Sequence, residues 1–489
     1  MTVLRLPLGL ALAFLVPGWA VGREPAKGPA GTSLKRQIDA IADRPAFAAA
    51  FWGIEVRSLR SGKLLYARNA EKSLKPASTL KLVTTAAALD AFGPQEQITT
   101  TLETAGRLDA LGRVLGDLYL VGRGDPNLSG RFSEGRIIAA FEKLAQGLEA
   151  AGVKRIEGRL IGHEGLFQGE RRGEDWAWED LVWWYGAEVS ALSFNDNSVD
   201  LKVTAGERVG DPVLVERNPV SAYYSVVSSA SSGPAGSEDT LTLTKAPGSN
   251  VIRLAGSYPL GKPAWENSVA VEDPARYATT VLAELLEARG IRVTGGLATS
   301  SEPLPPGLRA LAAHAGPPMA EMIKAVNKPS QNLHAEMLLR LLGARVKGAG
   351  TPAAGLQAVG DFLGRLGVKA DAWALQDGSG LSRSDLLSPH EMVNLLVAMD
   401  RHPHGKVFRE SLPIAGVDGT LKNRMKGTPA AGRVQAKTGS IRHVNALAGY
   451  VTPRSGEPLV FSMVVNHHTS GGREALAAID AVCYVLAGK

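Results

Sequence analysis

Pro76-Ala77-Ser78-Thr79-Leu80-Lys81-Leu82-Val83 places a serine at the start of a helix, with Pro and Ala ahead of it and an apolar run behind it. Three residues on, Lys81 lies on the same helical face, so its amine can approach the Ser78 hydroxyl. A serine hydroxyl is a poor nucleophile at neutral pH and needs an adjacent base. A lysine desolvated among Leu80, Leu82 and Val83 can serve, because burial lowers an amine pKa. The helix N-terminus adds partial positive charge where an oxyanion would develop. Alone the signal is weak: at ordinary Ser and Lys frequencies S-x-x-K arises about twice by chance in a chain this long. On this motif by itself a capped surface helix is the plainer explanation.

Two further stretches change that balance. Asn327-Lys328-Pro329-Ser330-Gln331-Asn332 opens another helix and offers a hydroxyl and a carboxamide two residues apart, although a capping serine would explain Ser330 by itself. Val434-Gln435-Ala436-Lys437-Thr438-Gly439-Ser440 reads as a strand edge carrying an ammonium and two hydroxyls beside a glycine, along which a substrate backbone can lie as an added strand. S-x-x-K, S-x-N and K-T-G in this order are the set recorded for serine penicillin-binding proteins and class A β-lactamases.

The rest of the chain frames these motifs. Its 489 residues predict two to four domains and a core that needs no disulfide or metal staple. With 45% hydrophobic and 21% charged residues it reads as a soluble globular chain and not as a polytopic membrane protein. The net charge of +6 is scattered and never forms a basic stripe interleaved with aromatics, so nucleic acid is not an expected partner. A single cysteine, Cys483, excludes an internal disulfide and a cysteine-rich zinc site. Residues 1–22 have the form of a signal peptide: Arg5, an apolar run from Leu6 to Val16, a Pro17-Gly18 break and a small-x-small site, with cleavage expected after Ala20 or Gly22. We therefore expect a chain secreted across the inner membrane, periplasmic, without a transmembrane anchor and at most loosely associated with the envelope.

Strand and helix patterns predict a strand pair around Trp52–Val56 and Lys63–Tyr66 and a long helix after Pro76. Short alternating strands follow from about Gly93 to Ala270. Helices are expected at Ala275–Ala288, Met319–Val326, Leu333–Leu342 and Pro389–Met399, and closing strands at Ala446–Val451 and Leu459–Asn466. The economical organisation is a β-rich insertion splitting a mixed α/β domain whose halves meet again in space. The expected boundaries are 33–97 and 271–489 for the split domain. Residues 98–270 form the insertion, divisible into 98–202 and 203–270.

With these motifs the sequence resembles the class C low-molecular-mass penicillin-binding proteins, the D-alanyl-D-alanine carboxypeptidase/endopeptidase family. The resemblance covers nearly the whole mature chain. It also rests on Gly116-Asp117-Leu118-Tyr119-Leu120 with Gly124-Asp125-Pro126, on Trp176-Ala177-Trp178-Glu179-Asp180 and on Asn195-Asp196-Asn197. Asp377-Gly378-Ser379-Gly380-Leu381-Ser382-Arg383 and Leu412-Pro413-Ile414-Ala415-Gly416-Val417-Asp418-Gly419-Thr420-Leu421 complete the blocks. The resemblance implies an α/β (α+β) transpeptidase fold of the penicillin-binding/serine β-lactamase type, an antiparallel sheet flanked by helices with β-rich inserted domains. It implies a serine-type peptidase acting on peptidoglycan peptides through an acyl-enzyme, acylated by β-lactams and needing no cofactor. In that reading Ser78 is the nucleophile and Lys81 its general base. Ser330 and Lys437 relay a proton to the leaving amine, and Asn332 orients the substrate amide. Thr438, Gly439 and Ser440 border the substrate's terminal carboxylate, with backbone N–H groups of Ser78 and Ser440 as the oxyanion hole. Asp180 would meet the free amine of a diaminopimelate side chain, and Arg383 lines the same pocket. The sequence departs from the pattern at Gln331, where many members have aspartate, and at Arg442, where a relative has glutamine.

Blander roles stay open for single residues. Asp180 has an alternative reading as a turn or capping carboxylate and Arg383 as a structural arginine of a Gly/Ser-rich loop, while Gly124-Asp125-Pro126-Asn127 reads as a tight turn rather than a site. Nine dispersed histidines with no H-E-x-x-H give no metal site, and no P-loop, dinucleotide fingerprint or G-x-S-x-G elbow is present. Three functions compete: a peptidoglycan DD-peptidase, a β-lactamase, and a non-catalytic peptidoglycan-binding protein on the same fold. No E-x-x-x-N of the class A deacylating type stands between the first two motifs. The intact Ser78, Lys81, Ser330 and Lys437 disfavour the third.

Overall fold

The strands Val444–Val451 and Leu459–Asn466 are buried along all their residues, the pattern of strands covered on both faces. They form the middle of an antiparallel five-stranded sheet, in the computed structural model that describes residues 33–489. The spatial order is Leu64–Arg68, Phe51–Ser58, Leu459–Asn466, Val444–Val451, Val434–Ile441. The early and late parts of the described residues therefore build one sheet, and the register is continuous: Trp52 faces Val465 and Val56 faces Phe461 across one pair, and Gly439 faces Ala446 across another. The expected leader, residues 1–22, lies outside the described residues.

Helices cover the two faces. On one, Leu34–Ala42 and Gly472–Ala487 pack their apolar sides, Ile38 and Ile41 with Ile479 and Val482, against Trp52, Ile54 and Phe461. On the other lie Lys81–Phe92, Met319–Asn327, Asn332–Leu342, Pro352–Arg365 and Pro389–Arg401. Lys81–Phe92 is buried without a break from Lys81 to Leu89, so it is the central helix of this layer. Asn332–Leu342 is buried along its whole length and packs beside it. Pro389–Arg401 begins as its sequence dictates, with Pro389 in the first turn and the Ser388 hydroxyl accepting the Glu391 N–H at 3.1 Å. The expected fold, an antiparallel sheet flanked by helices, is what the chain adopts.

The intervening region has its own core and differs from expectation in two respects. It is not simply β-rich: helix Ala139–Ala150, absent from the strand pattern, places Phe141, Leu144 and Leu148 in that core. Its sheets also extend past residue 270. Leu297–Ser300 pairs in parallel with Leu160–His163, and Arg309–Ala315 pairs antiparallel with Thr99–Thr104, closing a second five-stranded sheet. Helix Pro274–Ala288 packs Tyr277, Val281 and Leu282 into the same core. Residues 274–315 thus belong by pairing and packing with the inserted strands. The helix alone gave no hint of this, because its apolar face fits either core.

Among the described residues no helix is long and apolar enough to cross a membrane, and no three His, Cys, Asp or Glu side chains converge as metal ligands. Cys483 is buried and unpaired.

Candidate active site

Ser78 sits in a short 3-10 turn, Ala77–Leu80, that runs directly into helix Lys81–Phe92. Ala77 reaches that turn with φ of 47°, a conformation costly for a residue with a Cβ. Two neighbouring segments press on the turn so closely that each carries glycine at the contact. A Cβ on Gly439 would stand 2.7 Å from the Pro76 carbonyl oxygen, and one on Gly380, itself at φ 78°, only 2.0 Å from that of Ala77. The K-T-G strand and the Asp377–Ser382 loop are thereby brought against the nucleophile from two sides.

The Lys81 amine is fully buried (0% exposed) and lies 2.9 Å from Ser78 Oγ, 2.6 Å from Asn332 Oδ1 and 2.6 Å from the Ser379 carbonyl oxygen. Burial lowers its pKa to about 7, against the opposing pull of Asp377, Glu336 and Asp385. An amine so placed is available as a base near neutrality. Asn332, at the start of its helix, donates through Nδ2 to the Tyr185 carbonyl at 2.8 Å, which leaves its carbonyl oxygen for Lys81. The second pair is Lys437 with Ser330. The equally buried Lys437 amine donates to Ser330 Oγ at 2.8 Å and to the Thr438 carbonyl at 2.8 Å. Burial and the neighbouring Lys81 hold its pKa well below the ordinary lysine value. Ser330 adopts φ of 69°, a second strained residue at the same place.

The remaining expected residues lie around this centre. Thr438 Oγ1 donates to Thr420 Oγ1 at 2.8 Å, and Ser440, exposed, accepts the Asn445 amide at 3.0 Å. Asp180 and Arg383 make no part of the Ser78–Lys81 hydrogen-bond cluster. Asp180 receives a long 3.4 Å contact from the Tyr185 hydroxyl. Burial raises its pKa, Arg383 and Arg442 draw it down, Glu179 opposes them, and the balance is upward. Gln331 turns away from the cluster and donates to Asp196 at 2.8 Å, where an amide fits a carboxylate better than a second aspartate would.

Several participants escaped the sequence. Glu179 pairs with two arginines, at 3.9 Å to Arg383 and 3.1 Å to Arg442. Tyr185 joins Asn332 to Asp180, and the Ser379 carbonyl completes the Lys81 environment. Glu336 carried the one usable signal, since four residues beyond Asn332 on a helix puts it on the same face.

Residues 34–485 match the model of the D-Ala-D-Ala carboxypeptidase 3 (S13) family. The chain is 36% identical to a D-alanyl-D-alanine carboxypeptidase of Actinomadura sp. (strain R39), covering 97% of this chain and 88% of that one. To the D-alanyl-D-alanine carboxypeptidase DacB of Haemophilus influenzae it is 27% identical, over 86% and 87% of the two chains. The crystal structure of penicillin binding protein 4 (dacB) from Haemophilus influenzae superposes with a TM-score of 0.80 at 26% identity, over 92% of this chain and 98% of that one. The same relative has been solved in complex with a β-lactam. A family match over almost the whole described chain, joined to a buried Ser–Lys pair at the meeting of three motifs, places this chain in the D-Ala-D-Ala carboxypeptidase 3 (S13) family.

Proposed function

We infer that the chain is a serine-type D-Ala-D-Ala carboxypeptidase, a penicillin-binding hydrolase that cleaves peptidoglycan stem peptides through an acyl-enzyme. The observation that carries this is the buried Lys81 amine 2.9 Å from Ser78 Oγ. Lys81 takes the hydroxyl proton as Ser78 Oγ bonds to the carbonyl carbon of the penultimate D-alanine. The oxygen that becomes anionic is met by the backbone N–H groups of Ser78 and Ser440. The C–N bond then breaks, and the leaving amine takes a proton through Ser330 and Lys437, which already share a hydrogen bond. Water releases the acyl group by the reverse proton path. A β-lactam presents its ring amide to the same atoms, and the relative solved with such a ligand supports that route.

In this reading Thr438, Gly439 and Ser440 bind the substrate's terminal carboxylate along the strand edge. Asp180 and Arg383 receive the stem-peptide side chain. Endopeptidase action needs only that the leaving amine belong to another stem peptide. Work on such a substrate implies export, which fits the leader read in residues 1–22. For the organisation of the chain we place the insertion at about 99–315, not 98–270, with the catalytic unit formed by 33–98 and 316–489.

Intact-mass measurement after incubation with a penicillin tests the function. One covalent adduct on the wild type, absent from Ser78→Ala, is expected, with release of D-alanine lost in the same variant. An adduct on Ser78→Ala would remove the assignment. An adduct that hydrolyses within seconds would favour a β-lactamase.

A further inference from the structure

A neutral lysine amine carries two hydrogens and one lone pair, and three groups surround that of Lys81. Two of them, the Asn332 Oδ1 and the Ser379 carbonyl oxygen, are acceptors with no hydrogen to give. Both amine hydrogens are therefore consumed by them, and the lone pair is left facing the Ser78 hydroxyl. The aim of the base thus depends on where the Ser379 carbonyl stands, and that position is built with unusual care. Gly378, the preceding residue, is tied at both backbone groups: its N–H donates to Glu336 at 3.0 Å and its carbonyl accepts from Thr84, one turn along the nucleophile helix, at 2.6 Å. Asp377 accepts the backbone N–H groups of Ser379 at 3.0 Å, Gly380 at 2.6 Å and Ser382 at 2.7 Å, and the indole N–H of Trp176 at 2.9 Å. Four N–H donors and the Ser379 hydroxyl, at 3.4 Å, on one buried side chain require an acceptor-only carboxylate.

We propose that Glu336 and Asp377 are positioning residues for acylation, shaping the Gly378–Ser382 loop so that the Ser379 carbonyl takes one Lys81 hydrogen and turns the amine's lone pair onto Ser78. The inference rests on Lys81 acting as base. Neither carboxyl hydrogen-bonds Ser78 or Lys81: both order the loop, beside the charge by which they oppose the lowering of the Lys81 pKa. Burial and Asp377 push the Glu336 carboxyl up to about 8, so near neutrality it is a protonated acceptor that glutamine imitates.

Stopped-flow acylation by a penicillin separates noncovalent binding from the acylation rate constant. Acylation of the wild type at Ser78 is measured first, and its absence would sink the functional reading itself. Asp377→Asn keeps one acceptor oxygen but turns an NH2 toward the loop or Trp176. The acylation rate constant is expected to fall about 10- to 100-fold, the scale of a misplaced catalytic group, with the dissociation constant nearly unchanged. Glu336→Leu should fall in the same way, whereas Glu336→Gln should recover to within a few-fold of wild type. This second pair carries the test should Asp377→Asn not fold. Wild-type rate constants in Glu336→Leu, or a Glu336→Gln as slow as Glu336→Leu, would overturn the proposal.

Discussion

At the scale of single residues, charge placement decides what each side chain is free to do. Lys81 and Lys437 are both buried, and a charge on Lys81 lowers the Lys437 pKa, so a proton arriving on Lys81 disfavours one on Lys437. That coupling suits a path in which Lys81 gains a proton from Ser78 while Lys437 gives one up to the leaving amine. The same logic separates Glu179 from Asp180. Glu179 stands between Arg383 and Arg442, so among the described residues the Asp180 side chain has one weak hydrogen bond, from Tyr185, and feels the arginines through space. A substrate ammonium would find Asp180 partly desolvated and in need of a partner. Asp180→Ala is therefore expected to lower kcat/KM for stem peptides bearing a free side-chain amine by about 1 to 3 kcal/mol, the worth of a hydrogen bond to a charged group. Acylation by a plain penicillin, which has no such ammonium, should hardly change. Equal losses on both substrates would make Asp180 structural.

At the scale of elements, the approach of strand Val434–Ile441 to the nucleophile turn is the contact on which the site is assembled. Gly439 lies in extended backbone, so the cost of a side chain there is crowding alone: its Cβ would meet the Pro76 carbonyl at 2.7 Å and Ala77 Cβ at 3.2 Å. Gly439→Ala should destabilise the fold by about 1 to 3 kcal/mol, as overpacking does, and slow acylation by a larger factor, because the strand must retreat from Ser78. Thermal melting beside acylation kinetics measures both, and an unchanged acylation rate would show slack at this contact. This strand, its sheet partners and the helix after Ser78 were legible in the sequence, because their apolar stretches, from 5 residues in the edge strand to 12 in the helix, stand between clear breaks. Leu297–Ser300 was not, since four half-exposed residues carry no period that separates a strand from a loop. Ser379 was invisible for a different reason: it acts through a backbone carbonyl, and its side chain says nothing of that.

At the scale of the whole molecule, the inserted region reaches back to the catalytic centre through several contacts, among them three hydrogen bonds to the motif segments. Trp176 donates to Asp377, the Tyr185 carbonyl holds Asn332, and Asp196 holds the segment that carries Ser330. The last is the heaviest. Burial alone would raise the Asp196 pKa, but the His334 hydrogen bond and Arg131 outweigh it and hold the carboxyl down at about 2. An ionised Asp196 accepts from Gln331 Nε2 at 2.8 Å, His334 Nε2 at 2.9 Å and Arg131 at 2.6 Å, which fixes the His334 proton on Nε2. Gln331 and His334 flank Asn332 and follow the strained Ser330, so Asp196 supplies part of what keeps that backbone in an unfavourable conformation. Asp196→Ala leaves the buried His334 N–H and the Gln331 amide without an acceptor, at about 1 to 3 kcal/mol for each. The melting temperature should fall accordingly. Release of the Ser330 tether should also slow turnover of peptide more than binding, seen as a drop in kcat with KM nearly constant. A variant that melts earlier but turns over peptide at the wild-type rate would show that the insertion steadies the fold without shaping the site.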